Sequence, residues 1–182
     1  VIDVETSGLS PEHHHLLQVA VVVLDVDGTV VDRWSSYVRP RWWPFTRTGP
    51  TWLHGITRRR LRRGRPVAEV LREVARRTDG AVLVAHNAAF DTEFLLRAAR
   101  QHGVPLRWVG QLCTLQLSRR LDPDRQLSHR LADVCARYGI EVDRPHDALA
   151  DAEATAALLP HLLAAHGVPP GPTTSQLDAL AS

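Results

Sequence analysis

Lysine and methionine are both absent from this 182-residue chain, so all 22 of its basic residues are arginine. GC-rich coding is the simplest source of such an Arg-, Ala- and Pro-rich composition, and the missing lysine itself points to no function. Only two cysteines occur, Cys113 and Cys135, both in apolar helical patterns. That excludes a disulfide framework and suits a reducing, intracellular and cytoplasmic setting. The longest apolar run, residues 19–24, is far too short to span a bilayer, and no secretory signal opens the chain. A net charge of +2 is too small to mark a nucleic-acid binder by itself. With Val1-Ile2 alone before Asp3, the expectation is a chain that starts inside its first strand, as a trimmed form or one domain of something longer.

What is present fits one globular domain with 44% hydrophobic and 23% charged residues. Residues 1–5 read as a buried strand. Residues 16–26 and 29–38 read as two more, joined at the hairpin signal Asp27-Gly28. Residues 39–50 are Pro- and Trp-rich without periodicity and read as a loop. Helices are expected over 66–77, 87–102, 114–121, 128–139 and 147–166, with short strands at 81–85 and 109–113. Residues 167–182 read as a flexible Pro/Gly-rich tail. Three antiparallel strands followed by alternating helices and strands imply an α/β mixed sheet covered by helices.

Carboxylates recur in short motifs along this framework. Asp3 and Glu5 stand two apart on a strand and so share a face. Such a pair repels unless a cation lies between, and hard oxygen donors favour Mg²⁺ or Mn²⁺. Asp91 opens a helix in His86-Asn87-Ala-Ala-Phe-Asp91. His146 and Asp151 flank the first turn of the last long helix in His146-Asp147-Ala-Leu-Ala-Asp151. Between the first and second of these lies His54-Gly-Ile-Thr57.

The order, types and spacing of these motifs resemble the DnaQ-like (DEDDh) 3′→5′ exonucleases over residues 1–166, closest to the proofreading epsilon-type branch. The resemblance implies a ribonuclease H-like, five-stranded mixed sheet: three antiparallel strands, then two parallel, with helices on both faces. It implies a pair of Mg²⁺ or Mn²⁺ ions, about 4 Å apart in two-metal sites, held by Asp3, Glu5, Asp91 and Asp151, with Asp3 between them. His146 would then be the general base. Thr6, Ser7, Gly8 and Leu9, with His54 and Asn87, would hold the 3′-terminal nucleotide, His54 being the foremost candidate for direct contact. The implied substrate is single-stranded or 3′-unpaired DNA, in proofreading or repair, with a DNA polymerase or sliding clamp as protein partner. RNA or short oligoribonucleotides are the first alternative, and a catalytically silent nucleic-acid-binding module is the rival from another class.

Other features compete with or extend that reading. Leu24-Asp25-Val-Asp27-Gly28-Thr29 resembles the nucleophile motif of haloacid dehalogenase-like phosphatases. The strand-like alternation after it and the lack of lysine speak against that family. His13-His14-His15 is read as a solvated loop, since consecutive residues cannot converge on one ion. Arg58, Arg59, Arg60, Arg62, Arg63 and Arg65 fall within eight residues directly after His54-Gly-Ile-Thr57. There they are candidate phosphate contacts, at a place where many relatives carry acids. Trp42, Trp43 and Trp52 are expected to pack their loop onto the sheet. Gln176-Leu-Asp-Ala-Leu180 faintly resembles peptides that dock on sliding clamps.

Overall fold

A computed structural model describes residues 1–40 and 47–181. Strand β1 (Ile2–Thr6) pairs antiparallel with β2 (Leu16–Leu24), and β2 with β3 (Val30–Arg39). Two short helices, α1 (Thr51–His54) and α2 (Arg58–Arg62), lead to β4 (Arg65–Pro66), a two-residue strand parallel to β3. Then come α3 (Val67–Thr78), β5 (Ala81–Ala85), α4 (Ala88–His102) and β6 (Trp108–Cys113). Helices α5 (Thr114–Arg120), α6 (Leu131–Arg137), α7 (Ala148–Ala165) and α8 (Thr174–Ala181) complete the chain.

The expected mixed arrangement is present, antiparallel first and parallel after. β5 and β6 form their own parallel ladder, with β5 lying against β1, and β4 is an addition that the sequence did not signal. The β2–β3 turn carries the phosphatase-like motif. There Asp25 Oδ1 accepts the backbone N–H groups of Asp27 and Thr29 at 3.1 and 2.8 Å, and Gly28 takes φ +84°. Asp25 is thereby a turn-former, and β2 ends at Leu24.

Strand β2 is buried on both faces, and this fixes the layers. Val19 and Val21 join Ile2, Val4, Val70, Leu71, Val74, Phe94 and Leu95 on the side of α3 and α4. Ala20 and Val22 point the other way, onto Ala148, Ala152 and Ala156 of α7. Because Ile2 and Val4 face α3 and α4, Asp3 and Glu5 face the α7 side. Alanines at this contact let helix and sheet approach closely, bringing the start of α7 to β1.

The segment after residue 167 departs from a flexible tail. Helix α8 packs against β6, with Leu177 and Leu180 half-buried against the cluster of Val84, Leu112, Leu117, Leu158 and Leu162. Arg120 donates a 2.6 Å hydrogen bond to the Leu180 carbonyl. The two leucines of the clamp-like peptide thus pack inward. Helix α6 starts at Leu131 rather than Ser128, after a loop whose Leu127 and Gln126 N–H groups are taken by Asp122. No helix among the described residues is long and apolar enough to cross a membrane.

Candidate active site

Three separate elements deliver the acids. β1 carries Asp3 and Glu5, both half-buried. Asp91 sits in the first turn of α4, only 3% exposed, and its Oδ1 accepts the Val4 N–H at 3.0 Å. That bond ties the helix to the strand between the two β1 acids. α7 brings the fourth carboxylate: Asp151 Oδ2 accepts the His146 N–H at 3.0 Å, while Asp147 caps the helix by accepting from Ala150 N at 3.3 Å. His146 itself lies in the left-handed region at φ +64°, its N–H directed onto Asp151. One ligand atom each from Glu5, His146 and Asp151 lie within 4.8 Å of one another.

The electrostatics follow from this crowding. Burial first, then the charges of Asp91, Asp151, Glu5 and Asp147, push the Asp3 carboxyl well above the usual carboxylate range. Glu5 is raised to about 8 by burial and then by Asp151, Asp147 and Asp91. Burial lifts Asp91 to about 8 despite the Val4 hydrogen bond. Burial also raises Asp151, against the pull of the His146 N–H and ring. So many acids resisting ionisation side by side need either protons or a cation, and the donors on hand are hard oxygens with one imidazole. The set fits a hard divalent cation. Asp147, read from the sequence only as a helix start, contributes to this field; its adjacency to His146 was the available signal.

Around the acids, the remaining motif residues have defined tasks. The turn Thr6–Leu9 is closed by Thr6 Oγ1 donating to the Gly8 carbonyl at 2.7 Å, and by Ser7 Oγ accepting the His15 N–H at 3.0 Å. A Cβ on Gly8 would stand 2.3 Å from the His14 ring, so His14 packs on this turn and departs from a fully solvated loop. Gly49, at φ +68°, brings the next segment so close that a Cβ there would lie 2.2 Å from the Ser7 carbonyl oxygen. Leu9 is 84% exposed.

His54 is buried, and both its ring nitrogens are engaged. Nδ1 accepts the Ile56 N–H at 3.0 Å, leaving Nε2 to donate to the Thr48 carbonyl at 3.1 Å. Burial is the main influence lowering its pKa, and nearby His146 adds to it. His54 therefore fastens the 48–56 segment beside the site, with both ring nitrogens bonded within the chain. Asn87 is exposed in the left-handed region at φ +73°, where its side chain makes no helix-cap bond. His86 bridges Thr114 Oγ1 and the His129 carbonyl at 3.0 and 2.9 Å, joining β5 to α5 and the following loop. Trp52, expected to pack down, is 86% exposed, while Trp42 and Trp43 lie outside the described residues.

Comparison with known proteins places these features in a family. The RNase T exonuclease family model matches residues 1–159. The PolC-type DNA polymerase III of Streptococcus thermophilus is 36% identical over 159 residues, covering 87% of this chain and 11% of that protein. The PolC-type DNA polymerase III of Halalkalibacterium halodurans is 38% identical over 159 residues, with the same 87% and 11% coverage. The chain thus spans about a tenth of the length of these curated relatives. Among solved structures, E. coli exonuclease I in complex with a dT13 oligonucleotide superposes with TM-score 0.74 at 20% identity, over 87% of this chain and 39% of that one. A 3′-exonuclease that recognises the histone mRNA stem-loop gives TM-score 0.74 at 20% identity, over 90% of this chain and 80% of that one. At such identities the likeness is one of fold, and it is the fold of DnaQ-like exonucleases. With a family model over most of its length, this chain belongs to the RNase T, DnaQ-like exonuclease family.

Proposed function

We propose that the chain is a metal-dependent 3′→5′ exonuclease that releases nucleoside 5′-monophosphates from an unpaired 3′ end. The observation that carries this is the gathering of Asp3, Glu5, Asp91 and Asp151 with His146 from three distant stretches of chain. Asp3, Glu5, Asp91 and Asp151 would hold a pair of divalent ions, Mg²⁺ or Mn²⁺. When bound, these supply Lewis acidity to the attacking water and to the leaving 3′ oxygen. The imidazole of His146, exposed at the edge of the acids, accepts the proton of the attacking water. Glu5 and Asp151 beside it stabilise the resulting imidazolium. The Thr6–Leu9 turn and the exposed Asn87 receive the terminal nucleotide, and His54 serves them by fixing the adjoining segment.

DNA is the preferred substrate, in proofreading or repair, because the curated relatives are DNA polymerases and a structural neighbour carries a deoxyoligonucleotide. The neighbour that recognises a histone mRNA makes RNA the second reading. The full set of carboxylates argues against a silent binding module. The test is digestion of 5′-labelled DNA with an unpaired 3′ end, blunt duplex DNA and RNA, with Mg²⁺, with Mn²⁺ and with EDTA. The expected result is a ladder shortening by single nucleotides, fastest on unpaired DNA and stopped by EDTA. An unchanged rate for Asp3→Ala would remove the site from the reaction.

A further inference from the structure

Helix α2 carries charge that no acid among the described residues balances. Arg58, Arg59, Arg62 and Arg63 are exposed, and none forms an ion pair among the described residues. Arg58 and Arg62, like Arg59 and Arg63, stand four apart, where like charges repel. The helix is nonetheless firmly seated. Leu61 is fully buried, Arg60 lies over the Tyr37 ring at 5.9 Å, and a Cβ on Gly64 would come within 2.8 Å of the Tyr37 carbonyl oxygen. A rigid, self-repelling cationic surface calls for an anion from outside.

A second observation lies just before it. Trp52, 86% exposed in α1, presents a large ring to solvent on the segment that Gly49 presses against the Ser7 turn. His54, at the end of α1, comes close enough to His146 for their charges to interact. An exposed indole followed by arginines without ion pairs among the described residues, on the segment adjoining the acids, matches the chemistry of an unpaired nucleic-acid strand: flat bases and a phosphate at every step.

We propose that Trp52 and the α2 arginines Arg58, Arg59 and Arg62 form a track for the single strand upstream of the 3′ end, Trp52 stacking on a base and the arginines meeting successive phosphates. This rests on the exonuclease reading and adds to it a binding surface outside the reaction centre. It makes the enzyme favour substrates long enough to reach α2.

The test pairs two substrates. Fluorescein-labelled dT12 reports the track, by anisotropy in EDTA between about 50 and 200 mM salt, the range over which phosphate-dominated binding responds. The p-nitrophenyl ester of thymidine 5′-monophosphate, hydrolysed with Mn²⁺, reaches only the reaction centre. Trp52→Ala should bind dT12 on the order of tenfold more weakly with an unchanged salt slope. The triple variant R58Q/R59Q/R62Q should flatten the log–log salt slope by about 2, at roughly 0.7 per lost single-strand phosphate contact. Both variants should hydrolyse the small ester at the wild-type rate and keep the wild-type Tm. If the variants bind dT12 as tightly as wild type, the track is wrong and the surface faces an acidic protein instead. Wild-type protein that does not bind dT12 overturns it equally. Failure of the wild type to hydrolyse the ester counts against the exonuclease reading, separately.

Discussion

At the scale of single residues, His146 and Gly49 show two kinds of dependence. The His146 ring adjoins two carboxylates that would hold metal, yet the backbone N–H, not the ring, fixes Asp151. His146→Ala should therefore cut the rate by roughly a hundredfold or more, the usual size of a general-base effect, while Mn²⁺ still binds by calorimetry. Normal turnover in that variant would take the imidazole out of the mechanism. Gly49 carries both a left-handed backbone and a contact that leaves no room for a methyl group. Gly49→Ala should cost at least about 1–2 kcal/mol for its backbone conformation alone. Shifting the Ser7 turn should lower nuclease activity as well. Denaturant titration alongside ester hydrolysis checks both, and a variant indistinguishable from wild type would show that the two segments part easily.

Helix α7 shows what one element contributes. Its N-terminus combines a cap with a surplus negative charge, both from Asp147. Comparing Asp147→Ala with Asp147→Asn in EDTA separates the two, since asparagine caps as well as aspartate but lacks the charge. The alanine variant should be about 1 kcal/mol less stable than the asparagine variant by chemical denaturation. Equal stabilities would mean the cap bond contributes little. The extent of this helix was legible in the sequence, as were β1 to β3, because local periodicity and turn chemistry decide them. The Asp-x-Glu pair was legible for the same reason: a two-residue repeat on a strand needs no tertiary information. The bond between Asp91 and Val4 spans 87 positions, and the pinning of both His54 nitrogens depends on how the 48–56 segment closes. Neither has a local signature. Helix α8 was missed because Pro169, Pro170, Gly171 and Pro172 read as linker, while the seat for Leu177 and Leu180 is built by β6 and α7. Removing residues 173–182 should cost about 2 kcal/mol, taking roughly half the value of burying two leucines fully. An unchanged denaturation midpoint would return the segment to a free tail.

For the whole molecule, the acid cluster makes stability depend on pH and on cations together. Glu5 and Asp91 hold their protons to about 8, whereas in the unfolded chain such groups ionise near 4. Between those values the folded protein binds more protons than the unfolded one, so the metal-free protein loses stability as pH rises through that window. On the proposed reading, divalent ions would take the place of the protons. The rise in Tm on adding Mn²⁺ should accordingly be larger at pH 8 than at pH 6 (values chosen to lie at roughly the top and middle of the window). An equal rise at both would show that the ion binds elsewhere.

Ala20, Ala148, Ala152 and Ala156 meet where α7 crosses β2, and their small size sets how near Asp151 comes to Glu5. That contact works as a spacer gauge. Ala152→Leu would leave every proposed ligand and the proposed general base chemically intact, yet wedge the helix outward at a cost of about 1–3 kcal/mol. On the proposed reading, the spacing of the site is dimensioned by methyl groups that never meet the substrate, and cation preference is open to retuning from inside the core without altering a single donor.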